Sequence, residues 1–134
     1  MPSPTSYTSN DLILKVLSKL GVAAVGQFVA PEDFEKVNVN LNAIFRKIAA
    51  LEIVYIADPT NIPAEWFQDL ASIVTGEVAY DFGARGPDLA EAINAGLGGA
   101  AGTPVPIGGG TAAMSFKIML RGRPTGEEQR THSY

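Results

Sequence analysis

The stretch PEDFEKVNVNLNAIFRKIAALE, residues 31–52, decides the fold class. Phe34, Val37, Leu41, Ile44, Phe45, Ile48 and Leu51 recur at three- and four-residue spacing. At about 100° per residue they fill a stripe of roughly 120°, which marks a helix with one face on a core. Asn38, Asn40 and Asn42 fall outside the stripe or at its edge. Pro31 lacks the N–H that a first helical turn leaves unpaired anyway, and Glu32, Asp33 and Glu35 stand at the positive end of the helix dipole.

Helical punctuation continues on both sides. Towards the N-terminus, Ser9 or Asn10 is the expected cap of a first helix that sets Ile13, Val16, Leu17 and Leu20 on one face and stops at Gly21. The connector GVAAVGQFVA is apolar enough to be partly buried. Towards the C-terminus, EIVYIADPTNIP is a β-branched and aromatic patch closed by the turn-forming Asp58-Pro59-Thr60-Asn61. Pro63 then opens a third helix that runs to Gly83. Its apolar residues, among them Trp66, Phe67, Leu70, Val74, Val78 and Tyr80, cover about half the circumference, so it should touch more than one neighbour. Glu77 and Asp81 fall inside that arc and need cationic partners or a subunit interface. A fourth helix is expected from Pro87 to about Leu97, built from small residues that allow close approach.

After Leu97 the chain loosens into GGAAGTPVPIGGGT, which reads as a flexible hinge. The segment AAMSFKIML stays open between two forms. Met114, Phe116, Ile118 and Leu120 alternate as in a half-buried strand, yet Ala, Met, Lys and Leu are good helix formers and Thr111 can cap. The closing RGRPTGEEQRTHSY has no core-forming pattern. The expected fold is therefore all-α: a bundle of about four helices over residues 1–98, then a hinge and an extended C-terminal arm over residues 99–134.

Composition narrows the chemistry. The chain has 134 residues, no cysteine and one histidine, His132, which leaves no thiolate or multi-histidine metal site and no cysteine nucleophile. No apolar run reaches the ~18 residues of a membrane span. The first twelve residues carry neither a basic patch nor an apolar stretch, so no leader is expected. Net charge is −4, divided as −6 over residues 1–98 and +2 over residues 99–134, where the bases are Lys117, Arg121, Arg123 and Arg130. An acidic body with three arginines in its tail suits acidic protein partners better than nucleic acid. The glycine-rich run lacks the strand before, the helix after and the lysine of a phosphate loop. Glu65, Asp69, Glu77 and Asp81 line the third helix without a nucleophile or a held histidine beside them, which favours a solvated or interface-paired acidic edge over a catalytic one. No catalytic residue, cofactor site or metal site is expected.

In order and spacing, LSKLGVAAVGQFVAPEDFEKVNVNLNAIFRKIAALEIVYIADPTNIPAEWFQDLASIVTGEVAYDFG resembles the head-to-tail adaptor proteins of short-tailed bacteriophages, the tail accessory or head-completion factors. The likeness lies in a first helix ending Leu20-Gly21 with Gly26-Gln27 after it, a long helix opening on Glu32 and Asp33, and a Pro63-initiated helix closing at Phe82-Gly83. It covers about residues 9–97. The resemblance implies a virion structural protein made in the host cytoplasm and placed at the head–tail junction. It would form a homo-oligomeric ring, usually dodecameric, that binds the portal protein through its C-terminal arm, supports the tail nozzle or fibres, and lets DNA pass. Carried onto this chain, the portal-contact residues are Phe116, Ile118, Leu120, Arg121, Arg123, Arg130 and Tyr134. The expected subunit interface comprises Trp66, Glu77, Asp81 and, as their cation, Arg46. The alternatives are a connector or tail-completion protein of another phage type, or a small glycan hydrolase using Glu65 or Glu77 with a second carboxylate.

Overall fold

The computed structural model describes residues 6–22 and 28–121. Among them are five α-helices, one 3-10 turn and one pair of two-residue strands: β1 (Ser6–Tyr7), α1 (Ser9–Lys19), α2 (Pro31–Ala50), β2 (Ile62–Pro63), α3 (Ala64–Val78), the 3-10 turn Ala79–Phe82, α4 (Gly86–Ala95) and α5 (Thr111–Met119). The all-α class holds, with β1 and β2 an addition that the sequence pattern did not announce. They pair antiparallel, Ser6 opposite Pro63 and Tyr7 opposite Ile62, and so tie the segment before α1 to the start of α3. Tyr7 stacks on Phe67 with ring centroids 4.0 Å apart.

The cap of α1 is Thr8, one residue before the expected Ser9. Its Oγ1 accepts from the Asp11 N–H at 3.2 Å while Asp11 Oδ2 accepts from the Thr8 N–H at 3.0 Å, a reciprocal capping box. The helix stops at Gly21, where the Val22 N–H reaches the Leu17 carbonyl at 3.0 Å. Of the connector, residues 23–27 lie outside the described residues. Among the described residues of the connector, Phe28 is exposed while Val29 is half-buried and packs on the core. In α2, the expected stripe is buried at Val37, Leu41, Ile44, Phe45 and Ile48, whereas at its two ends Phe34 is half-buried and Leu51 exposed.

Helix α3 is the centre of the molecule and packs against α1, α2, α4 and α5. Its wide apolar arc is therefore satisfied largely inside the chain, where Phe67, Leu70, Ala71, Ile73, Val74 and Val78 are buried. Against α4 the approach is backbone to backbone. A Cβ on Gly76 would stand 2.7 Å from the Ala92 carbonyl oxygen, and one on Gly96 2.8 Å from Ile73 Cα. Small residues thus let α4 dock although none of its own residues is fully buried.

Two expectations about the C-terminal part need correction. The hinge is a folded loop. The Leu97 carbonyl accepts from both Gly108 N–H (2.8 Å) and Gly110 N–H (3.0 Å), and Gly99 N–H donates to the Val105 carbonyl. Asn94 adds side-chain bonds to Ala100 N–H and Thr103 Oγ1. Glycine is required there for crowding: a Cβ on Gly110 would collide with the Gly96 carbonyl oxygen. The second correction concerns residues 111–121, which belong to the body. The open segment is helical, because Ala112, Ala113 and Phe116 form one buried face that packs on the same core as α1–α3. A division between residues 98 and 99 would cut that core. The part of the expected arm at residues 122–134 lies outside the described residues.

Candidate interaction surfaces

The expected interface set separates into three places. Glu77 and Asp81 do come together, at a cleft of ≈ 200 Å³ between α2 and the end of α3 that Asn40, Ala43, Ile44 and Lys47 also line. The cation there is Lys47, whose Nζ donates to Glu77 Oε1 at 2.8 Å. Arg46, chosen for that role from the sequence, is its neighbour about 100° round the helix and points to solvent. Adjacent basic residues look alike in a sequence, and the packing of α2 on α3 decides which one meets the carboxylate. The pair is partly solvated, so its worth is at most about 1 kcal/mol.

Trp66 lies eleven residues before Glu77, about 16 Å along the α3 axis. Its ring meets Phe116 edge-on, with centroids 6.1 Å apart. One turn on, Asp69 Oδ2 accepts from Ser115 Oγ at 2.7 Å, so Trp66 and Asp69 together fasten α5 to α3. Trp66 also lines an apolar cleft of ≈ 370 Å³ with Tyr55, Ile56, Ala57, Asp58, Asn61 and Pro63. At its rim, Asp58 Oδ1 accepts from Thr60 Oγ1 (2.6 Å) and Thr60 N–H (3.0 Å). These two bonds hold the Asp58 carboxyl below its ordinary value.

The portal-contact set also divides. Phe116 is fully buried and is a core residue, not a contact residue. Leu120 is half-buried and packs on the core. Ile118 (61% exposed) and Met114 (44%) stand one turn apart on the outer face of α5, with Lys117 and Arg121 exposed beside them. Arg123, Arg130 and Tyr134 lie outside the described residues. Met114 was not among the expected contact residues, because the segment stayed open between helix and strand; at helical spacing Met114, Ile118 and Arg121 form one ridge. Sequence reasoning passed over a groove of ≈ 480 Å³ formed by Lys19 and Leu20 of the first helix end, Ser72, Thr75 and Ala79, and Asp88, Glu91, Ala92 and Ala95 of α4.

Among the described residues no cluster of three or more histidine, cysteine or acidic side chains is placed to hold a metal, and no helix is long and apolar enough to cross a membrane. Comparisons with protein-family models, curated proteins and solved structures find no match.

Proposed function

We propose that this chain is a ring-forming head-to-tail adaptor of a short-tailed bacteriophage, a structural component of the virion and not an enzyme. It assembles as a homo-oligomer, dodecameric by the resemblance, against the portal protein at the head–tail junction. The ring leaves a channel for DNA and offers a platform for nozzle or fibre proteins. The observation that carries the reading is the order of helix boundaries: Leu20-Gly21, the acid-led opening at Pro31, and the segment that Pro63 opens, which runs as α3 and its 3-10 turn to Phe82-Gly83. Each of these punctuation marks falls at an element boundary of the fold. The acidic balance of residues 1–98 adds support, since a lumen of that sign passes DNA without holding it.

With Phe116 committed to the core, portal docking falls to the chain beyond α5, where Arg123, Arg130 and Tyr134 supply guanidinium forks and an aromatic anchor. The test is the mass of the purified full-length chain, alone and mixed with candidate portal rings, beside a variant carrying Arg123→Glu and Arg130→Glu. Stoichiometric capture of the wild type and loss of capture in the variant is the expected result. A wild-type chain that binds no portal ring sinks the proposal.

A further inference from the structure

The outer face of α5 is an apolar ridge with a positive edge. Met114 and Ile118 protrude, Ile107 of the preceding loop is 52% exposed, and Lys117 and Arg121 flank them. Lys117 Nζ lies over that loop, 3.7 Å from where a Cβ on Gly108 would stand. No described acidic side chain neutralises Lys117 or Arg121, since the one ion pair among the described residues is Lys47–Glu77. Elsewhere the same chain carries a hollow of opposite sign. The groove where the end of α1 meets α3 and α4 is lined mostly by small residues, Ala79, Ala84, Ala92 and Ala95 with Ser72 and Thr75, and carries Asp88 and Glu91 against a single cation, Lys19. Asp88 and Glu91 are exposed and take part in no ion pair among the described residues.

We infer that the occupant of this groove is the α5 ridge of a second copy, with Ile118 and Met114 over the alanine lining and Lys117 and Arg121 against Asp88 and Glu91. The argument is complementarity of charge between two surfaces of one chain, one with exposed apolar side chains and the other a hollow. A protein of net charge −4 repels its own copies at long range, so self-association needs a local match of this kind. Because the contact joins two different surfaces, it propagates from copy to copy and closes as a ring where the rotation allows. This assignment rests on the proposed function only in expecting a second copy, and it gives Ile118 and Arg121 to the neighbouring subunit instead of the portal.

The test uses the full-length chain at rising concentration, alone and with candidate portal rings, with assembly read as mass. Glu91→Lys and Lys117→Glu should each raise the concentration needed for assembly tenfold or more, and the two combined should return it to within about threefold of wild type. Both positions are exposed, and circular dichroism of each variant separates lost assembly from lost folding. Independently, a carbodiimide cross-link from Lys117 to Asp88 or Glu91 should join light and heavy chains when isotopically labelled and unlabelled protein are mixed. Single reversals that leave the assembled mass unchanged, or links found only within one chain, overturn this interface while the ring reading stands. A wild-type chain that stays single under every condition overturns both.

Discussion

Glu52 sits where glycine usually closes a helix. Its φ of 58° is the one positive value at a non-glycine among the described residues. The position follows α2 as the left-handed step of its C-terminal cap, with Glu52 N–H on the Ala49 carbonyl and Ile53 N–H on the Ile48 carbonyl, each at 3.0 Å. A side chain there costs about 1 kcal/mol of steric strain. Glu52→Gly should therefore raise stability by roughly that amount in urea unfolding, less the extra chain entropy that glycine loses. Asp58 gives a second residue-scale expectation. Thr60 holds its folded-state pKa below the ordinary 3.8, so Asp58 adds stability that is complete above that value and disappears as pH falls through the lower folded value. Asp58→Asn keeps an acceptor for the turn but has no charge to titrate. The urea midpoints of wild type and variant should therefore differ at neutral pH and converge in strong acid. A difference that is constant down to pH 2 would count against the turn as the cause.

At the scale of elements, α4 is held by closeness and α5 by size. Gly76 allows the α4 backbone to within contact of α3. Gly76→Ala should cost about 1–3 kcal/mol through overpacking, although alanine favours helices, and the loss should appear as a lower urea midpoint. On α5, Phe116 and Ile118 are two residues apart and fully different in setting: one is in the core and the other is 61% exposed. Phe116→Ala should destabilise by about 3–5 kcal/mol and Ile118→Ala by less than about 0.5. Equal small effects would mean that α5 is not seated on α3. The two substitutions should rank in reverse order for assembly among molecules that remain folded.

For the whole molecule, the consequence is that the C-terminal quarter is not an appendage down to its first residue. A chain ending at Gly98 lacks Ala112, Ala113 and Phe116, all buried members of the common core. It should lose its cooperative thermal transition, whereas a chain ending at Arg121 should keep it; circular dichroism melts of the two decide this. If both melt alike, residues 99–121 contribute little to the core. The same comparison guards the portal-binding assay, because loss of binding by the shorter chain would report unfolding and not a missing contact.

The sequence by itself determined the first four helices. Apolar spacing, Pro31, Pro63, Gly21 and Gly83 are local signals, written within a few residues of the turns they control. It also determined the charge division and the absence of cysteine, which bound the chemistry whatever the fold. Tertiary structure decided everything that depends on which face meets which. The choice of Lys47 over Arg46 follows from how α2 lies on α3. The glycine-rich loop is ordered because its N–H groups find Leu97 and Val105, partners whose positions α4 sets. Helix prevailed over strand at residues 111–119 because the common core receives Ala112, Ala113 and Phe116 on one face, a choice that local propensity left balanced. Periodicity fixes what a segment can form; burial against a particular neighbour fixes what it presents to others.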